Sequence, residues 1–281
     1  MPGSPDGALS TRAPLPSIIL PNMTAKNQTL GQILRTGFLP NLINDSLDAE
    51  KAVEAAAAAG VRAFEISCRR PDTLALLARL KRLFPGVSFG VSSLIEDGPY
   101  FRFLQARGPR FPSIDEAADA GADFLVSVLA FSAETFQRHA RLPIIPGVES
   151  ADEARRQLDL GASLVKFSNT DAATLKAING GPIHFGLPLL ATGGIRPARI
   201  REFVQARVLV CVSGFDLILR DRLQAMQQDF DEAEVRGCVA EYVEAFSAAR
   251  RELQPEVDFA SADPALIQQQ SGQFLNADMA P

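Results

Sequence analysis

Short apolar runs alternate with longer amphipathic stretches along most of the chain. Each run is followed by a segment of helical periodicity, such as SLDAEKAVEAAAAAG after the first and PDTLALLARLKRLF after the second. We interpret the runs as eight β-strands, at 38–44, 62–67, 87–92, 123–128, 143–147, 163–168, 187–192 and 208–213. Strands that alternate with helices pair in parallel through right-handed crossovers, so the pattern predicts an α/β fold.

Eight strand-and-helix units in one chain predict a TIM (β/α)8 barrel. The alternative, an open doubly wound sheet, is typically marked by a glycine-rich fingerprint at its first turn, and this chain has none there. Gly60, Gly121 and Gly161 each follow a predicted helix and precede a predicted strand. Glycine accepts the left-handed backbone that ends a helix, so these joints fit the bottom of a barrel.

Two further helices are predicted outside the eight units. One, at 29–37, precedes the first strand, and an additional C-terminal helix covers 231–253. We expect a flexible, proline-rich arm at 1–25, a single barrel domain at 26–253 and a polar tail at 254–281.

The connection after the third strand, residues 94–113, is too long for a simple turn. It carries Tyr100, Arg102, Arg107 and Arg110. Long loops in compact domains often act as lids, and a solvated surface insertion is an equally good interpretation.

Composition and charge narrow the class of protein. The 281 residues are 47% hydrophobic and 22% charged, which is typical of a globular chain. The formal net charge is −5 and no basic cluster occurs, which argues against nucleic acid or an anionic membrane as partner. No apolar run approaches the roughly 18 residues that span a bilayer, and we see no signal peptide.

Cysteine and histidine usage points to a reducing compartment and away from metal chemistry. The odd set Cys68, Cys211 and Cys238 shows no pairing pattern, so we expect reduced thiols in a cytoplasmic protein. His139 and His184 have no metal-ligand spacing, which disfavours a zinc site or a Ser-His-Asp triad.

Lys166 is the most informative polar residue. In the sixth predicted strand it shares a face with Leu164 and Ser168, whereas Val165 and Phe167 take the helix-packing face. An ammonium inside a barrel has a lowered pKa, and such an amine can form a Schiff base with a carbonyl substrate. The alternative is a lysine that points to solvent or bridges a carboxylate.

Glu65 has the same character in the second strand, where it shares a face with Ala63 and Ser67. A carboxylate facing the barrel interior can transfer protons to and from an imine-bound substrate. A purely structural pair with Lys166 remains open. Arg69, two positions beyond Ser67, is a candidate receptor for a substrate carboxylate.

The seventh and eighth strands end in glycine turns, at 192–194 and 213–214. Barrels often hold phosphate at the loops after these two strands, because glycine lets backbone amides approach an anion. Tight turns without a ligand are the alternative.

Five short motifs then occur in order: FEISCR at 64–69, GVSS at 90–93, PGV at 146–148, VKFSN at 165–169 and ATGGI at 191–195. Together they resemble the class I aldolases that cleave 2-keto-3-deoxy-6-phosphogluconate (KDPG) and 4-hydroxy-2-oxoglutarate (KHG). The corresponding family patterns are Leu-Glu-Val-Thr-x-Arg, Gly-x-Gly-Thr, Pro-Gly-Ile/Val, Phe-Lys-Phe-Phe-Pro and Pro-Thr-Gly-Gly-Ile. The resemblance begins at the 29–37 helix and ends near residue 220.

The resemblance implies an aldolase that releases pyruvate and an aldehyde, needs no metal or other cofactor, and forms a homotrimer. Lys166 would form the imine, Glu65 would shuttle protons and Arg69 would bind the substrate carboxylate. The other residues implied to bind substrate are Ser93, Pro146, Gly147, Thr192, Gly193, Gly194, Ser213 and Gly214.

Several departures from the family pattern concern the distal part of the substrate pocket. Phe-Pro after the lysine is Ser168-Asn169 here, and Ser-Pro-Gly of strand four is 127–129, Ser-Val-Leu. Gly-Gly-Ser of strand eight is 213–215, Ser-Gly-Phe. We therefore expect a substrate with a different tail, contacted by arginines of the 94–113 insertion.

Two other functions remain open on the same barrel. One is an enzyme without an imine, such as a phosphate-binding isomerase or decarboxylase. The other is a non-catalytic, ligand-binding descendant in which the Glu65–Lys166 pair is structural.

Overall fold

Eight parallel strands form the centre of the computed structural model, which describes residues 24–108, 111–261 and 263–276. They are β1 Phe38–Leu42, β2 Ala63–Ser67, β3 Ser88–Leu94, β4 Phe124–Ser127, β5 Ile144–Ile145, β6 Val165–Ser168, β7 Leu189–Thr192 and β8 Val208–Gly214. Their order is β5-β4-β3-β2-β1-β8-β7-β6. A bridge from Gly147 to Lys166 brings the two ends of the sheet together, so the predicted (β/α)8 barrel is confirmed.

Helices surround the strands. They are α1 Ala25–Thr36, α2 Ala49–Ala58, α3 Thr73–Leu83, α4 Pro99–Gln105, α5 Ile114–Asp119, α6 Ala133–Arg138, α7 Ala151–Asp159, α8 Ala172–Asn179, α9 Ile200–Gln205, α10 Phe215–Leu219, α11 Leu223–Gln228, α12 Glu232–Leu253 and α13 Pro264–Ser271. Many begin at a side-chain cap, as at Asp48 of α2 and Asp171 of α8. In the described part of the chain, every helix is too short or too polar to cross a membrane.

Two apolar layers follow from the alternation of side chains along each strand. Leu39, Ala63, Phe124, Leu164 and Leu190 belong to the cluster inside the barrel. Their neighbours on the other face pack against the helices; they include Phe64, Ile66, Val165 and Phe167. A polar residue at a strand position of the first set therefore has its side chain inside the barrel.

The predicted C-terminal helix completes the helical ring. α12 packs between α2 and α9 over β1, and the Tyr242 ring stacks on Phe38 with centroids 4.4 Å apart. The helix therefore takes the position of the barrel's eighth outer helix, because α10 and α11 after β8 are short.

The bottom of the barrel is closed from both ends of the chain. α1 contributes Leu30 and Ile33 to the inner cluster, and the segment after α12 contributes Phe259, Ile267 and Leu275. The structure differs here from the expected polar tail at 254–281, since most of that segment packs and includes α13.

The expected tail looked polar because its apolar residues are few and widely spaced among Gln, Asp and Pro. Hydrophobic periodicity does not detect such isolated apolar residues, because they are buried only through contact with the bottom of the barrel. Of the expected arm at 1–25, residues 1–23 lie outside the described part of the chain.

Arg250 stabilises the closed bottom of the barrel by joining α12 to α1, β8 and the C-terminal segment. Its buried guanidinium donates to the carbonyl oxygens of Leu34 (2.9 Å), Arg35 (3.1 Å) and Leu209 (2.7 Å), and it lies 3.7 Å from the centre of the Phe259 ring. Burial lowers the pKa of Arg250 to about 9, so the group stays charged at neutral pH.

Replacing Arg250 by methionine is expected to lower the free energy of unfolding by about 3 kcal/mol, because buried carbonyls lose their donors. Urea denaturation measures the change. Arg251→Met is the matched control, since Arg251 is exposed on the same helix. Equal stability of the two variants would contradict a structural role for Arg250.

Candidate active site

Lys166 lies on the inner face of β6 with only 5% of its surface exposed. Its N–H donates to the carbonyl oxygen of Pro146 at 2.8 Å, and its own carbonyl oxygen accepts from Val148 at 2.9 Å. The backbone is therefore fixed at the junction of β5 and β6. The amine is held inside the barrel, on the face that strand alternation predicts.

Glu65 lies on the inner face of β2 and is 2% exposed. Its Oε2 accepts a hydrogen bond of 2.8 Å from the Asn41 side-chain amide, which also lies 3.2 Å from the Ser92 hydroxyl. Its Oε1 is buried and has no hydrogen-bond partner among the described residues. Buried polar atoms are nearly always satisfied, so this oxygen is the natural place for a proton or a ligand donor.

The two buried groups shift each other's pKa. Burial lowers the pKa of the Lys166 amine, the charge of Arg69 lowers it further, and the charge of Glu65 opposes the shift. Burial raises the pKa of Glu65. The charge of Lys166 and hydrogen bonds from Ser92 and Asn41 oppose this shift. An amine and a carboxyl with pKa values moved toward neutrality suit nucleophilic and acid–base work.

Asn41 and Ser92 were missed as functional candidates in the sequence. Asn41 lies directly opposite Glu65 in the β1–β2 register, and Ser92 lies opposite Ser67 in the β2–β3 register. Strand alternation places both on the inner face of the barrel, because Asn41 shares a face with Leu39 and Ser92 shares a face with Gly90. The alternation that identified Lys166 would have found them.

Arg69 follows β2 at the carboxyl ends of the strands, which form the barrel mouth. Its side chain is exposed, and its charge acts on both Lys166 and Cys68. The neighbouring Arg70 is instead buried, with an ion pair of 2.9 Å to Asp72. Arg69 is therefore the arginine available to a ligand.

Ser93 ends the regular part of β3 in a left-handed conformation, with φ 63°. Its carbonyl oxygen accepts from the Cys68 thiol at 3.1 Å. Together with Arg69, these two residues line one wall of a cavity of about 350 Å³ at the mouth.

Pro146 and Gly147 flank Lys166 across the β5–β6 junction. A side chain at Gly147 would place its Cβ 2.3 Å from the Val128 carbonyl oxygen. Glycine is needed here because two backbone segments cross in contact where the barrel closes.

Thr192, Gly193 and Gly194 follow β7, next to the lysine strand. Thr192 lies opposite Ser168 in the register, and Gly193 has φ 105°. A Cβ at Gly193 would lie 2.1 Å from Asn169 Oδ1. The turn thus brings exposed backbone to the mouth beside β6.

Ser213 and Gly214 end β8, and the structure does not bring the Ser213 hydroxyl to the mouth. That hydroxyl donates to the Ile195 carbonyl oxygen at 3.1 Å, which also accepts from the Tyr242 hydroxyl at 3.2 Å. The reason is the alternation of side chains along the strand. Val212 belongs to the inner cluster, so the next residue, Ser213, points to the other face, toward α12. Any contact of Ser213 with substrate would have to come from its backbone.

Metal ligation has no candidate in the described ranges, where His, Cys, Asp and Glu do not gather in groups that could hold an ion. His139 and His184 instead contact the carboxylates of Asp115 at 2.8 Å and Asp152 at 3.4 Å.

Comparison with known proteins agrees with this arrangement. The sequence model of one family, described as KDPG and KHG aldolase, matches residues 33–235. This chain belongs to the KDPG and KHG aldolase family. The match covers β1 to β8 and ends inside α12, so the closure of the barrel bottom by residues 254–276 lies outside it.

Individual relatives within the KDPG and KHG aldolase family are distant. The KHG/KDPG aldolase of Escherichia coli K12 is 26% identical over 204 residues, which covers 70% of this chain and 88% of the relative. The 2-dehydro-3-deoxy-phosphogluconate aldolase of Dickeya dadantii is 26% identical over 218 residues, covering 74% and 94%.

A solved KDPG aldolase from Legionella pneumophila has the same fold. It superposes with a TM-score of 0.58 at 22% identity and covers 76% of this chain and 98% of its own. That crystal structure holds pyruvate as a covalent carbinolamine intermediate.

Proposed function

We propose that this chain is a class I aldolase, a carbon–carbon lyase that cleaves a 2-keto-3-deoxy or 4-hydroxy-2-keto acid to pyruvate and an aldehyde. The observation that carries the proposal is the buried pair inside the barrel: an amine of lowered pKa on Lys166 and a carboxyl with a free oxygen on Glu65. An imine with Lys166 would serve as the electron sink for cleavage.

The proposed reaction begins when the neutral Lys166 amine attacks the C2 carbonyl carbon of the keto acid. The carbonyl oxygen takes up a proton, and the resulting carbinolamine loses water to give an iminium ion. Glu65 then removes the proton of the C4 hydroxyl, the C3–C4 bond breaks, and its electron pair moves into the iminium group. Aldehyde and an enamine result; Glu65 returns the proton to C3, and water releases pyruvate.

Arg69 is proposed to bind the C1 carboxylate, since its guanidinium is exposed at the mouth and acts electrostatically on Lys166. Thr192 and Ser93 would line the site on either side. The backbone of three flanking turns would complete it, at Pro146–Gly147, Gly193–Gly194 and Gly214. The carbinolamine captured in the Legionella relative supports the same chemistry here.

Borohydride trapping tests the proposal. Incubation with pyruvate and borohydride is expected to attach a reduced pyruvate group to Lys166, located by peptide mass spectrometry. An adduct on another lysine, or none in folded protein, would favour a barrel enzyme without an imine or a ligand-binding descendant.

We propose further that the protein is a homotrimer of the reducing cytoplasm, with neither nucleic acid nor membrane as partner. The three cysteines are all unpaired and buried, which suits a reducing compartment. The trimer rests on the family resemblance, and sedimentation at three times the 30.2 kDa chain mass is its test.

A further inference from the structure

The 94–113 insertion builds an apolar wall over the barrel mouth. α4 and the residues after it bring Tyr100, Phe101, Leu104 and Phe111 to the cavity whose opposite wall contains Arg69. Two of the apolar side chains around this cavity remain open to water, Tyr100 at 58% and Leu129 at 49% exposure. Large apolar groups left at the rim of a pocket mark a site for apolar ligand surface.

The cavity lies next to the proposed imine. Val128 and Leu129 line it and lie against Gly147, whose N–H donates to the Leu129 carbonyl oxygen at 3.1 Å. Gly147 in turn bridges to Lys166 where the barrel closes. A keto acid bound through Lys166 and Arg69 would therefore place its remaining carbons toward the insertion.

Within its described residues, the insertion offers no cation to this cavity. Arg102 pairs with Asp97 at 3.1 Å, and Arg107 lies 4.0 Å from the centre of the Phe103 ring. Arg110 lies outside the described residues. Among the residues that line the cavity, Arg69 is the charged one. The expected contact of Arg102 and Arg107 with the substrate tail is therefore not supported.

On the opposite side of the mouth, the turn after β8 offers a phosphate no side-chain hydroxyl. The Ser213 hydroxyl is bonded to Ile195 and faces away, as described above. The Asp216 carboxylate lies beside Gly214, so close that a Cβ there would be 2.3 Å from its Oδ1. A carboxylate at the turn after β8 repels an anion.

We propose that the aldehyde half of the substrate is apolar, with an aromatic or branched alkyl group that fills the cavity beneath α4. The inference rests on the proposed aldolase function and names its substrate class. Arg69 binds the keto acid end, and the tail displaces water from Phe101, Leu104 and Phe111.

Borohydride trapping with two non-cleavable analogues tests the inference. 2-Oxo-4-phenylbutanoate carries an apolar group on C4, whereas 2-oxoglutarate carries a carboxylate there. The phenyl analogue is expected to be trapped on Lys166 at a half-saturating concentration about tenfold lower than 2-oxoglutarate, which is the gain for burying part of one ring.

Substitutions at the cavity test whether the preference for the phenyl analogue arises there. Tyr100→Ala and Leu129→Ser are each expected to reduce the ratio between the two analogues about threefold. Both side chains are exposed, so the barrel should tolerate the changes. Phe185→Ala is the matched control, because Phe185 is 73% exposed on the loop before β7, at the other end of the barrel. It should leave the ratio unchanged.

The outcomes separate the two proposals. If pyruvate itself is not trapped on Lys166, the aldolase function fails and this inference falls with it. Two results would overturn only the apolar-tail inference while pyruvate is still trapped. One is a preference for 2-oxoglutarate, and the other is a ratio between the two analogues that all three variants share with the native protein. A change in assembly size in Leu129→Ser without a change in ratio also overturns it, and assigns the surface to a contact between copies of this chain.

Discussion

Replacing Lys166 by alanine is expected to reduce kcat/KM for cleavage of a 4-hydroxy-2-keto acid by about 10⁴-fold or more. The reason is that, among the described residues, no other strand carries a lysine on the inner face of the barrel that could form the imine of the proposed cleavage. A coupled assay of pyruvate release measures the loss. Lys176→Ala is the control, since Lys176 is exposed on α8.

Lys166→Arg separates charge from chemistry, because arginine keeps a cation near Glu65 and forms no imine. We expect it to be as inactive as Lys166→Ala. In the native protein, the rate of pyruvate trapping should rise with pH to a midpoint below the 10.5 of an ordinary lysine, because burial lowers the pKa of Lys166 and the neutral amine is the nucleophile. Activity retained in either variant, or a midpoint at or above 10.5, would place the nucleophile elsewhere.

Much of the candidate active site could be predicted from the sequence, because a parallel strand has a strict period of two. That period puts Lys166 and Glu65 inside the barrel as soon as Val165 and Phe64 are assigned to the helix-packing face. It also puts Asn41 inside and Ser213 outside, a distinction that matching motifs residue by residue overlooked.

Long-range packing could not be predicted in the same way. Phe259 and Leu275 are isolated apolar residues in a polar segment, and they are buried because α1 and the barrel bottom offer an apolar surface. The insertion is a similar case: its sequence suggested arginines for the substrate, but α4 directs Leu104 to the mouth and leaves Arg102 paired with Asp97. Helix orientation depends on contacts that local sequence does not encode.

Glu65→Gln is expected to lower kcat for cleavage by roughly 10²–10⁴-fold, the usual contribution of a positioned acid–base group. Glutamine has nearly the shape of glutamate and can keep the hydrogen bond from the Asn41 amide, so the barrel should remain folded. It cannot take the C4 hydroxyl proton or return a proton to C3. Steady-state kinetics of pyruvate release measure the effect, with the exposed Glu256→Gln as control.

The pH profile of this variant distinguishes catalysis from structure. Glu65 raises the pKa of Lys166 through its charge, so its removal lowers that pKa further. The midpoint of pyruvate trapping should therefore move to lower pH in Glu65→Gln, while turnover at every pH is slower than in the native protein. A structural pair predicts the same shift of midpoint without the loss of turnover. If kcat fell less than about tenfold after correction for the neutral fraction of Lys166, proton transfer would belong to another group, and Glu65 would serve only to hold the charge of the lysine.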